Sequence, residues 1–162
     1  MSALQATAEL RSELDSLRSR LAGATTMLAE AKEIVEFNEK LVDSDKRGKE
    51  ELESVTGANE EVKKQITELQ DMVFGEEDDR QGITDNPDIT VMNRLYAPFR
   101  YLGSDYNGPG ETEQNLLRLA REAVNSAIAD INTFFDEAWP DYQATVEEAD
   151  LSPFKEFEGV DN

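Results

Sequence analysis

In this chain of 162 residues, chemistry would have to come from carboxylates, because the sequence contains neither histidine nor cysteine. The commonest general base and metal ligand is therefore missing, together with the strongest nucleophile. The densest acidic run, Glu76-Glu77-Asp78-Asp79, offers paired carboxylates of the kind used in acid–base catalysis. It lies in a polar stretch rich in Asp, Gly and Pro, with nothing apolar beside it to raise a pKa, so it reads as a solvated charge run. Asp43-x-Asp45-x-Arg47-Gly48 opens like a calcium-binding helix–loop–helix loop. Arg47 stands where a ligand oxygen is needed, however, and Ser54 where the bidentate Glu belongs, so a turn between helices is the better reading. Gly108-Pro109-Gly110 has no following Lys and no preceding strand, and so is not a phosphate cradle. Asp85, Asp88 and Asp105 are left as carboxylates suited to weak cation contacts. No catalytic, cofactor-binding or metal-binding residue is assigned, and no cofactor is expected.

Aromatic residues form the other distinctive set. Phe134, Phe135 and Trp139, the only Trp, fall within six positions and are followed by Pro140 and Tyr142. Such a cluster is expected either to close the end of the helical bundle beside Leu151 and Phe154, or to anchor an interface. Core closure is the favoured expectation. Arg94 and Arg100 flank Tyr96, Phe99 and Tyr101, where their stems are expected to cover a helix face and pair with nearby carboxylates.

The elements that must position these residues are helical. Leu10, Leu14, Leu17, Leu21, Ala24, Leu28, Ala31 and Val35 step by four and three, continuing through Asn38 to Leu41 and Val42. This is an a/d seam of about four heptads, the signature of a helix packed on another helix. The polar stretch 43–48 is the expected turn, with 56–59 as the alternative. The seam resumes at Leu52, Val55, Val62, Ile66, Leu69, Met72 and Val73, and Phe74-Gly75 ends it in C-cap style. A third helix is expected from about Pro87 through Val91, Leu95, Phe99 and Leu102. The Gly-rich stretch 103–110 is a loop. Thr112 begins a fourth helix carrying Leu117, Ala120, Val124, Ala127, Ile131 and Phe134. Pro140 is expected to break that helix and open a short fifth one to about Asp150. The fold class is thus all-α: an antiparallel bundle with a long N-terminal helical hairpin, four main helices and a short fifth. Residues 1–75 form the hairpin, and 76–162 complete the same single domain.

Charge restricts the partners. Thirty-six acidic residues against 16 basic ones give a net charge of −20. Residues 1–75 hold 16 acidic and 10 basic side chains (net −6), and residues 76–162 hold 20 and 6 (net −14). Such a field repels phosphate backbones and anionic headgroups, so nucleic acid is not an expected partner. Nor does any run approach the roughly 18 apolar residues of a spanning helix, so membrane insertion is not expected either. Residues 1–8 lack the basic and apolar regions of a signal peptide, so export would rely on a signal carried by a longer parent chain.

The punctuation between the helices resembles a known family. The residues concerned are Leu21-Ala22-Gly23-Ala24, Val73-Phe74-Gly75, and Leu102-Gly103-Ser104 with the loop from Gly108 to Thr112. Asn132, Phe134, Phe135, Trp139 and Pro140 continue the pattern, as do Leu151 and Phe154. In these the chain resembles the C-terminal helical module that follows the β-propeller in large bacterial sortilin-like, BNR-repeat proteins, often labelled glycosyl hydrolases. The resemblance implies an exported parent, extracellular or periplasmic, with this module packed beside the propeller, and it carries no catalytic residue onto the helical part. The function expected is that of a non-catalytic accessory or assembly module. The alternative is a free-standing coiled-coil protein that forms a homo-oligomer through its N-terminal helix.

Overall fold

A computed structural model describes residues 3–48, 50–76, 89–101 and 108–153, and every regular element among them is helical. The first helix, α1 (Ala3–Ser44), runs 42 residues, roughly 60 Å at the standard rise. Its inward face is the expected seam: Leu10, Leu14, Leu17, Leu21, Leu28, Ala31, Val35 and Asn38 are all buried. The turn falls at residues 45–52, ahead of α2 (Glu53–Phe74). The alternative turn at 56–59 is instead helical, and Asn59 faces the core.

The two helices are antiparallel. Lys63, midway along α2, meets Glu39 near the end of α1, with Nζ 2.8 Å from Oε2, while Val73 at the far end of α2 joins the cluster of Leu10, Leu14, Leu17 and Leu21. Gly75 caps α2 at φ 93°, and its N–H donates to the Asp71 carbonyl at 2.7 Å. Only a residue without a side chain adopts that dihedral cheaply.

The third helix is shorter than its apolar pattern suggests. α3 (Val91–Tyr96) starts where the Thr90 hydroxyl accepts the Asn93 N–H at 3.1 Å, and Pro98 then tightens the chain into a 3₁₀ turn, Pro98–Arg100. Proline removes the donor for an α-helical bond and crowds the carbonyl one turn back, so the α pattern cannot run on. Val91 and Leu95 plug the lower core; Pro87 and Leu102 lie outside the described residues.

The last rod differs most from expectation. α4 (Glu111–Thr133) begins where the Glu113 carboxylate accepts the Gly110 N–H at 2.9 Å. It does not break at Pro140. Residues Phe134–Ala138 form a π-helical turn, and the chain passes directly into α5 (Trp139–Glu148). The Trp139 N–H reaches the carbonyl of Phe134, five residues back. A widened turn immediately ahead of Pro140 makes room for the ring that would otherwise press on the Asp136 carbonyl. The α4–α5 rod runs parallel to α1, since Arg121 pairs with Glu13, Asn125 with Arg20 and Tyr142 with Asn38.

Three long rods therefore alternate in direction around a core with two parts. The lower part joins the leucines of α1 to Val73, Val91, Leu95, Leu117, Ala120, Val124 and Ala127. In the upper part, Leu28, Ala31 and Val35 meet Val62, Ile66, Ile131, Phe134 and Tyr142.

Candidate functional site

Among the described residues, the upper core contains the buried polar side chains. Asn38 on α1, Asn59 on α2 and Tyr142 on α5 are all buried. The Asn38 amide donates to the Tyr142 hydroxyl at 2.7 Å, and that hydroxyl donates to the Asn59 side-chain carbonyl at 2.8 Å. One hydroxyl thus serves as acceptor and donor at once, tying three helices at a single level. Burial raises the Tyr142 pKa above the ordinary phenolic value, while the Asn38 hydrogen bond partly opposes that rise. The site is neutral and saturated, suited to fixing register rather than to moving protons.

The aromatic cluster surrounds this network. Phe134 is buried, while Phe135 and Trp139 are half-buried. Phe134 and Phe135 meet edge-on with centroids 5.0 Å apart, and Trp139 lies 5.2 Å from Tyr142. These rings pack level with residues 28–38 of α1 and 59–66 of α2, within the length of the bundle rather than at its closing end. Leu151, half-buried, follows the end of α5. Phe154 lies outside the described residues.

Beside the cluster runs a groove. α5 packs mainly against α2 and the π turn, leaving a cleft of about 370 Å³ between itself and α1, lined by Ile34, Asn38, Trp139, Tyr142, Gln143 and Val146 among others. Along the α1 side runs a second apolar stripe, outside the seam. Met27, Ile34 and Phe37 are 46%, 48% and 52% exposed. The half-buried Leu41 extends the stripe by one turn.

The other candidates are structural where they can be followed. Asp45 is not free to hold a cation. Its carboxylate accepts the backbone N–H of Arg47 at 2.9 Å and the guanidinium at 3.0 and 2.7 Å. The same Arg47 donates to the Ala149 carbonyl at 2.6 Å, clasping the α1–α2 turn to the end of α5. Hydrogen bonding from Arg47 holds the Asp45 carboxyl down at about 2. Glu76 is exposed; Glu77, Asp78, Asp79, Asp85, Asp88 and Asp105 lie outside the described residues. Gly108, at φ 83°, sits where an added Cβ would come within 3.1 Å of the Ala3 backbone, so the Gly-Pro-Gly stretch packs against the start of α1. Arg94 is half-buried on α3 and Arg100 exposed beyond it, near the tilted Tyr96–Phe99 ring pair at 6.0 Å. Among the described residues, no three acidic side chains gather as a metal site would require, and no helix is long and apolar enough to cross a membrane.

Sequence reasoning missed the amide–hydroxyl network and the groove. The available signals were Asn38 standing in a seam position, and Ile34 and Phe37 spaced by three just outside the seam. Comparison with protein-family models, with curated proteins and with solved structures finds no match to this chain.

Proposed function

We propose that this chain is a non-catalytic helical accessory module that docks a partner on the α1–α5 groove. The observation that carries the reading is the exposed stripe of Met27, Ile34 and Phe37 on α1, of which Ile34 lines the cleft together with the half-buried Trp139. Large apolar side chains exposed along one helix face mark interaction sites more often than they decorate a solitary domain. The polar groups of the neighbouring core are meanwhile occupied in holding helices together. The family resemblance in the helix punctuation supplies one candidate partner, the β-propeller of an exported parent chain. Repeated Ser-x-Asp-x-Gly-x-x-Trp blades encoded upstream would support that assignment.

The oligomeric alternative has less to draw on. The seam residues of α1, through which that oligomer would form, are already buried against α2, α3 and α4.

The reading is tested by replacing Met27, Ile34 and Phe37 together with Ser. Because these side chains are about half exposed, the unfolding free energy from urea titration should fall by about 1 kcal/mol per residue, while binding of a hydrophobic dye falls. A loss above roughly 4 kcal/mol would place the stripe in the folding core and remove the docking surface. Robust turnover of glycosides by the isolated chain would overturn the non-catalytic assignment.

A further inference from the structure

We infer that the α1–α5 groove receives a cationic amphipathic helix; this rests on the docking reading above and names the partner's chemistry. The shape argues for a helix. α1 and α5 run in the same direction without packing closely on each other, so the cleft between them is a channel bounded by two rods. Met27, Ile34, Phe37 and Leu41 recur at spacings of seven, three and four, extending over roughly 20 Å of α1. That is the footprint of an apolar helix stripe laid in a groove, and a fourth rod there would complete a four-helix bundle.

The charge argues for a cation. Residues 134–150 carry Asp136, Glu137, Asp141, Glu147, Glu148 and Asp150 and no basic residue. Glu147 lines the groove itself. On the opposite wall Glu30 is exposed between Met27 and Ile34, with Glu33 alongside. Of the cations nearby in sequence, Lys40 stands between Glu36 and Asp43 on its own helix, and Arg47 is engaged by Asp45 and the Ala149 carbonyl. A carboxylate therefore stands within the strip at Glu30, and another lines the groove beside it at Glu147. A helix with Leu-type residues on one face and Lys or Arg flanking them matches both features. A second copy of this chain matches only the first, since it brings its own charge of −20.

The full-length chain is titrated with a synthetic peptide of about three heptads, Leu at the a and d positions and Lys elsewhere, with the emission of Trp139 as readout. The expected result is a saturable blue shift with a dissociation constant on the order of 1–10 μM, weakened at least about tenfold in ~0.5 M salt. Ile34→Asp should weaken binding about tenfold although it adds negative charge, an outcome that attraction to the acidic surface alone cannot produce. Circular dichroism verifies that this variant is folded. The inference is overturned if the Lys peptide produces no shift, if a matched Glu peptide binds equally well, or if Ile34→Asp binds as tightly as the parent. If a Gln or Glu peptide binds where the Lys peptide does not, or if sedimentation reveals a dimer that Ile34→Asp abolishes, the groove still docks a partner and only its cationic chemistry is wrong. If no peptide binds and the chain stays monomeric, the docking reading falls with it.

Discussion

Tyr142 illustrates how much can depend on one atom, because its hydroxyl is the partner of two buried amides on two other helices. Tyr142→Phe keeps the ring, the packing against Trp139 and the shape of the core, but leaves an amide donor and a carbonyl acceptor without that partner. The expected cost is about 1–3 kcal/mol, the usual range for stranding a buried polar group, read from urea unfolding at neutral pH. The pH response provides a second check. Burial raises the Tyr142 pKa, so the folded chain holds its phenolic proton where an unfolded chain would release it. That contribution is fully present below the unfolded value of about 10 and declines as pH rises beyond it. The parent should therefore lose stability through this alkaline range more steeply than Tyr142→Phe. Parallel slopes would show that the hydroxyl is not buried as described.

At the scale of elements, helix periodicity explains what was legible. The a/d spacing from Leu10 to Asn38 located the buried face of α1, because a helix presents every third or fourth side chain to its neighbour. Gly75 marked the end of α2 for an equally local reason, its positive φ. The third and last helices depart from their patterns at proline. Pro98 cut α3 short, whereas Pro140 was absorbed by a π turn. Local propensity does not separate these outcomes; the surrounding packing does, since Phe134, which opens the widened turn, and Tyr142, which follows it, are both held in the upper core. The groove was hidden for a related reason. Whether Ile34 and Phe37 are covered depends on how far α5 stands from α1, a distance written in no short segment.

Propensity also leaves unused stability within these elements. Gly23 lies inside α1 and Gly57 inside α2, both solvent-facing, and a Cβ built on either meets no atom within 4 Å. Each Gly→Ala replacement should stabilise the fold by about 0.5–1 kcal/mol by restricting the unfolded chain, and the two should add. Thermal or urea unfolding of the single and double variants measures this. Destabilisation at Gly23 would mean that the outer face of α1 is covered.

Across the whole molecule, electrostatic self-repulsion is expected to outweigh the attraction between charged pairs. Thirty-six carboxylates face 16 cations, and among the described residues the ion pairs that bridge helices, Glu13 with Arg121 and Glu39 with Lys63, are both partly exposed. Screening weakens those pairs, each worth roughly 0–1 kcal/mol, but it relieves the excess negative charge over the entire surface. The second effect should win, because uncompensated carboxylates outnumber the bridging pairs many times over. The melting temperature is therefore expected to rise by several degrees between about 10 mM and 1 M sodium chloride, most of the gain arriving below ~0.3 M, where the screening length shortens fastest. Glu148→Lys separates this field effect from a general salting-out response. It removes two units of negative charge at the C-terminal turn of α5, which carries no basic residue, and should stabilise by about 0.3–1 kcal/mol at low salt through the helix dipole. If charge repulsion governs stability, the melting curve of Glu148→Lys should start higher and respond less to salt than that of the parent. A parent melting temperature that does not move with salt would show that the acidic surface is tolerated without cost.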